Sequence, residues 1–235
     1  MNEQMQFTVD PEGKWFYRAG GIAAFLLVIG WFLTFPFYAA GGGPEPLGAE
    51  ARLLHYAGHE PAWWGILWVM VVTDLIYVGI ALALYQSLKR IDQSMMLLFI
   101  ACKALFFALD LGLLWPHHAA LFNLSKLYTA AASEAQRAAI VSAAIAPSAV
   151  LDSLLPTLYS IVIPSLGIIF ASLAMLKGVF SKRTAYLGLA VGITGIIAFA
   201  DPFMGALGVM HIVNALLATI WWLLVGWTLY KLGRR

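Results

Sequence analysis

Apolar residues along this chain come in long unbroken runs, and the polar residues collect between them. Six runs, at 19–40, 62–86, 94–115, 149–176, 185–200 and 208–230, approach or exceed the length needed to cross a hydrocarbon core, which takes roughly 20 residues of helix for about 30 Å. None shows the two-residue alternation of a barrel strand, and backbone groups in lipid must be satisfied within their own segment. Each run is therefore expected to be a helix, the fifth being the shortest. The expected fold class is all-α: an integral membrane bundle of six transmembrane helices forming a single domain over 1–235. An N-terminal tail at 1–18 precedes it, and an extra outer amphipathic helix lies in a cap loop at 116–148.

The connecting segments refine this picture. "SKLYTAAASEAQRAAIVSAAIAP" is rich in Ala, holds Glu134 and Arg137 at i, i+3, and reaches Pro147 as a stop, which predicts the outer helix. "AEARLLHYAGHE" can form a shorter one, and the "GGGPEP" before it reads as a loop of helix breakers. Lys14, Arg18, Lys89, Arg90, Lys177, Lys182, Arg183, Lys231, Arg234 and Arg235 all fall on one side of the six runs. The opposite loops hold only Arg52, Lys126 and Arg137, so the excess of bases on cytoplasmic loops places both termini in the cytoplasm and the protein in the inner (plasma) membrane. The first run, about 22 residues, exceeds the roughly 7–15 of a cleavable signal core and is expected to be retained, with cleavage near Ala39 or Ala40 as the alternative.

With 62% hydrophobic and 11% charged residues, the chain lacks the polar surface to coat a soluble domain of 235 residues. A net charge of +2 without a basic tail excludes nucleic acid as a partner. The lipid bilayer is the expected partner, with a lipidic or small-molecule ligand, a homodimer contact or a partner membrane subunit as further candidates. The single Cys102 lies in an apolar run and permits no intrachain disulfide. No Ser-His-Asp arrangement, phosphate loop or dinucleotide fingerprint is present, and the two halves of the chain do not align by residue type, as an inverted-repeat transporter would.

The stretch from Leu127 to Ala139, "LYTAAASEAQRAA", resembles the outer segment of the bacterial membrane family numbered 4386 among domains of unknown function. "YRAGG" at Tyr17 to Gly21 and "IWWLLVG" at Ile220 to Gly226 are similar to that family as well. The resemblance spans most of the chain and implies a fold, with no established activity.

Charges inside the apolar runs are the candidate chemistry. Lys103 stands twelve residues before Trp115 and Asp74 twelve after Ala62, which puts both about 18 Å from the outer boundary. An isolated ion at mid-membrane costs at least about 3 kcal/mol, so a buried Asp74–Lys103 ion pair is expected. Asp110, Asp152, His211 and Asn214 lie at the outer level of their runs, with Asp201 at the end of the fifth, and are expected to converge on an outward-facing polar pocket. His211, Asp110 and Asp152 carry the donor types of a zinc site, and His55 and His59 have the i, i+4 spacing that places two imidazoles on one helix face. Axial haem ligation by His211 with His55, His59 or His118 is geometrically conceivable, although no CxxCH sequence accompanies it. Pro156 and Pro164 permit kinks in the fourth helix, and Gly188, Gly192 and Gly195 permit close helix packing or dimerisation. The readings that remain are a non-enzymatic protein that binds or passes a small or lipidic molecule, a membrane-embedded metal-dependent hydrolase, and an accessory subunit. The catalytic residues of an enzyme cannot be picked out.

The orientation has a direct check. With Cys102 replaced by serine, a cysteine introduced at Arg137 should react with a membrane-impermeant thiol reagent in intact cells, and one at Arg90 should react only after lysis. The reverse pattern would invert the topology.

Overall fold

The computed structural model describes residues 11–200 and 208–234, which form helices joined by turns and loops, with no strand among them. A single 3-10 turn at Pro11–Gly13 leads into α1, Lys14–Ala40. The chain continues as α2, Ala49–Tyr56; α3, Glu60–Leu88; α4, Gln93–Ala130; α5, Glu134–Asp152; α6, Leu155–Leu176; α7, Lys182–Ala198; and α8, Gly208–Leu232. Helices α1, α3, α4, α6 and α8 are long and apolar enough to cross a membrane, so five of the six expected spans meet that standard, and α7 with 17 residues is the exception.

Two prolines shape α4 and α6 in the same way. Trp115 N–H bonds Asp110 O and Ile163 N–H bonds Leu158 O, each five residues back, within π-turns at Asp110–Leu114 and Leu158–Val162. Pro116 and Pro164 follow directly. A proline ring collides with the carbonyl four residues earlier in a regular α-helix, and the wider π-turn accommodates it without ending the helix. Pro116 therefore does not close the third span. Its helix runs on to Ala130, and the expected cap loop at 116–148 is instead the second half of α4 together with most of α5.

Helix α5 starts on Ser133, whose Oγ accepts from Gln136 N–H while the Gln136 amide oxygen accepts from Ala132 N–H. This is a reciprocal cap of the kind that fixes helix starts. Pro147 lies inside α5 rather than stopping it. The break comes at Ser153, which is extended and whose hydroxyl donates to Val150 O while accepting from Leu155 N–H. Residues 149–152 thus belong to α5, and the fourth span begins at Leu155.

The chain divides into two compact units, Met1–Ile29 with Asp74–Phe107 and Thr157–Arg235, and Gly30–Thr73 with Ala108–Pro156. In the first, Asp92 accepts from Met95 N–H at the start of α4 and from the Lys177 ammonium at 2.8 Å. Helix α7 packs between α6 and α8. A Cβ at Gly188 would overlap Ser172 Oγ and crowd Trp221, and one at Gly195 would overlap Ser165 Oγ. The small-residue stripe is therefore filled by this chain's own side chains, the purpose such stripes serve in helix packing.

Lys103 belongs to the first unit and is 1% exposed. Its ammonium has no hydrogen-bond partner and sits 4.4 Å from the Tyr77 ring centroid, with the Phe106, Trp222 and Phe99 rings at 5.7, 5.8 and 6.0 Å. Asp74 is buried and attracts the ammonium by its charge, without a hydrogen bond to it. Ring faces surround the ammonium because four aromatic side chains from α3, α4 and α8 converge there, and each offers its negative face to a cation. Since a buried ammonium without a hydrogen bond is itself costly, Lys103→Met should leave the thermal midpoint unchanged or raise it. A loss of about 3–5 kcal/mol, the usual result of removing one partner of a buried ion pair, would reinstate the Asp74 pairing.

Candidate functional site

The second unit is organised on α2. This eight-residue helix carries Arg52, Leu53 and Tyr56 on its buried side and Leu54 outward. Leu53 and Tyr56 pack with Trp63, Ile66 and Leu67 of α3 and Leu121 and Phe122 of α4. Ser125 Oγ donates to Leu53 O at 2.7 Å and the Tyr128 hydroxyl to Glu50 Oε1 at 2.9 Å, so α2 is pinned to α4 by polar as well as apolar contacts.

Arg52 is 3% exposed and cannot shed its proton, so each of its faces needs an acceptor. One terminal nitrogen donates to Asp152 Oδ1 at 2.7 Å and the other to Ser148 O at 3.3 Å. Nε lies 3.3 Å from Glu45 Oε2 as an ion contact. The second oxygen of Asp152 accepts from Gly48 N–H at 3.0 Å, just before α2 begins. Asp152, which was expected at the start of a span, is the last residue of α5, and its carboxylate at the N-terminus of α2 suits the helix dipole there.

Glu45 is held from its other side by His118, whose Nε2 lies 3.3 Å from Glu45 Oε1. His118 Nδ1 is 3.0 Å from Leu114 O. A carbonyl oxygen only accepts, so Nδ1 carries a hydrogen, and the Nε2–Oε1 contact must then hold one more proton, on the imidazole or on the carboxyl. Burial opposes ionisation of Glu45, but the His118 hydrogen bond and charge, helped by the Arg52 charge, outweigh it and hold the carboxyl below its ordinary value. The carboxylate is therefore the favoured form. Burial first, and then the Glu45 charge, push the Tyr56 phenol upward, so that hydroxyl stays neutral.

Beside this pair is a cavity of about 270 Å³. Its walls are mainly apolar and aromatic, with Tyr38, Trp63, Trp115 and Phe122 prominent, and Glu45 and His118 form its polar side. The loop that carries Glu45 is held open by glycine. Gly41 lies so close to Trp63 that a Cβ would stand 3.0 Å from the indole, and Trp63 Nε1 donates to Gly41 O at 3.1 Å. Gly42 and Gly43 have φ of +88° and +84°, the left-handed region that glycine enters at no steric cost.

Of the residues expected to converge, Asp152, Asp110 and Asn214 are each held by a neighbour within their own unit. Asp152 joins the Arg52 network. Asp110, 3% exposed, accepts from Trp115 Nε1 at 3.1 Å within α4. His211 and Asn214 belong to the other compact unit, where the Asn214 amide donates to Val191 O at 2.6 Å and Thr194 Oγ1 at 3.0 Å and so fastens α8 to α7. Asp201 lies outside the described residues. His55 and His59 do not share a helix face, because α2 ends at Tyr56 and Gly58 turns the chain with φ +78°. Among the described residues no three His, Cys, Asp or Glu side chains gather as a metal site, so the zinc set of His211, Asp110, Asp152, His55 and His59 is not assembled. Glu45, Arg52, His118 and Tyr38 form the site in its place. The only trace of them in the sequence is that Glu45 and Arg52 are charges in otherwise small or apolar outer segments.

No protein-family model matches this chain, and no match was found among curated proteins or solved structures.

Arg52→Met removes a buried cation from two partly exposed carboxylates and should cost about 1.5–3 kcal/mol, read by thermal denaturation in detergent. Glu45, with its lowered pKa, stabilises the fold above the ordinary carboxylate value of 4.5, and that contribution is lost as pH falls through the lowered value. Stability should thus fall below about pH 4.5 in the wild type and less steeply in Glu45→Gln.

Proposed function

We propose that this chain is a six-span protein of the bacterial inner membrane, with both termini in the cytoplasm, that binds a small, mainly apolar molecule in the cavity beside Glu45 and His118. The cavity itself is the observation that carries the reading. At about 270 Å³ it is just under the roughly 300–1,000 Å³ of ordinary ligand sites, and it has their usual make-up of aromatic walls with few polar groups. The Tyr38 hydroxyl and the Glu45–His118 pair would receive one polar group of the ligand while the rings cover the rest.

Helix α7 is the sixth span in this reading. Its 17 residues extend about 26 Å, and its glycines are buried against neighbours. An even number of crossings agrees with the bases that flank α1 and α8. The resemblance to the 4386 family supports a bacterial multi-pass membrane protein. The Glu45 and Arg52 charges answer each other inside the protein, which favours binding over hydrolysis, since neither is left to activate water.

Photolabelling with 1-azidoanthracene tests the pocket. Adducts should appear on peptides containing Tyr38, Trp63 or Met70 and be lost in Leu67→Trp, which fills the cavity. Labelling spread evenly over lipid-facing helices and unchanged by Leu67→Trp would remove the pocket as a binding site.

A further inference from the structure

A second cavity, of about 350 Å³, lies in the same unit between the start of α3 and the second half of α4, lined by Glu60, Pro61, Trp64, Phe122, Asn123 and Lys126. Two opposite charges face it. Neither the Glu60 carboxylate nor the Lys126 ammonium takes part in a hydrogen bond or ion pair among the described residues, whereas Glu45 and Asp152 are both joined to Arg52. The Asn123 amide and Trp64 line the same cavity, and the Trp64 ring meets Phe122 edge-on at 5.4 Å. We propose that this cavity binds the zwitterionic phosphoethanolamine headgroup of a membrane phospholipid.

The chemistry matches group by group. Lys126 and Asn123 are donors suited to a phosphate, and Glu60 with the face of Trp64 suits a primary ammonium, as a carboxylate and an indole together do at cation sites. A simple anion would be repelled by Glu60, and a simple cation by Lys126, so the pair of charges selects a ligand that carries both. The lipid is chosen over the free headgroup because apolar surface adjoins the cavity. Trp68, one turn further along α3, is 60% exposed, and Leu127, beside Lys126, is 56% exposed. Such aromatic and aliphatic exposure belongs at the interfacial level of a bilayer, where headgroups lie. Phe122 also lines the first cavity, but neither Glu60 nor Lys126 does, so the two sites are tested by different variants.

Native mass spectrometry of the detergent-purified chain, with dioleoyl phosphatidylethanolamine or dioleoyl phosphatidylglycerol added, provides the test. The wild type should retain one phosphatidylethanolamine about three- to fivefold more strongly than phosphatidylglycerol, the range expected of exposed charge pairs. Glu60→Gln should abolish or invert that preference, and Lys126→Gln should weaken both lipids, with thermal midpoints near that of the wild type. Equal retention of the two lipids by the wild type, or a preference that survives Glu60→Gln, would overturn the proposal. Glycerophosphoethanolamine binding as tightly as the diacyl lipid would show that the acyl chains contribute nothing and would overturn the lipid assignment.

Discussion

A guanidinium buried to 3% exposure must be met by acceptors on every side, because it stays charged at any pH the protein encounters. Two come from the end of α5, the Asp152 carboxylate and, one turn earlier, the Ser148 carbonyl, and Glu45 in the loop ahead of α2 adds an ion contact. That requirement explains the second unit in outline. It brings α5 to α2, sets the carboxylate of Asp152 at the start of α2, and holds the glycine-turned loop so that Glu45 can reach His118. Without the cation, the carboxylates of Glu45 and Asp152, both partly exposed, would lose the charge that draws them to α2.

The same logic has a different outcome around Lys103. There the buried cation is met by four ring faces, and the charge of Asp74 adds to their attraction. Lysine is a compact charge on a flexible stem and accepts a non-directional environment, whereas arginine presents five donors in a plane and needs oxygen atoms at set directions. The two cations therefore sit in unlike surroundings for reasons that lie in their own chemistry. The aromatic richness of the chain, with 9 Trp and 14 Phe, makes the first kind of surrounding possible.

Function in this reading follows from the division of labour in the second unit. Arg52 and Asp152 neutralise each other as structure. Glu45 and His118 meet at the edge of an apolar cavity, and Glu60 and Lys126 line another. Charges joined to each other hold the fold, and charges facing open space are what remains for a ligand.

Helix class, the approximate position of five long helices and the clustering of bases were legible in the sequence, because apolar run length and charge placement are local quantities that lipid and water read directly. The short helix before His55 and the loop of glycines were legible for the same reason. The extent of α4 was not. Whether Pro116 ends a helix depends on whether the preceding turn can widen, and that is decided by what packs on it. The site was least legible of all: Arg52 and Asp152 are 100 residues apart in the chain, and any of the acidic residues at a similar level could have been the partner. Only the fold brings that pair together, leaves His211 and Asn214 to another compact unit, and turns an unremarked glutamate in a breaker loop into the wall of a cavity. Burial makes the difference, since a charge on a loop is free in the sequence and has to be answered only once tertiary packing has taken its water away.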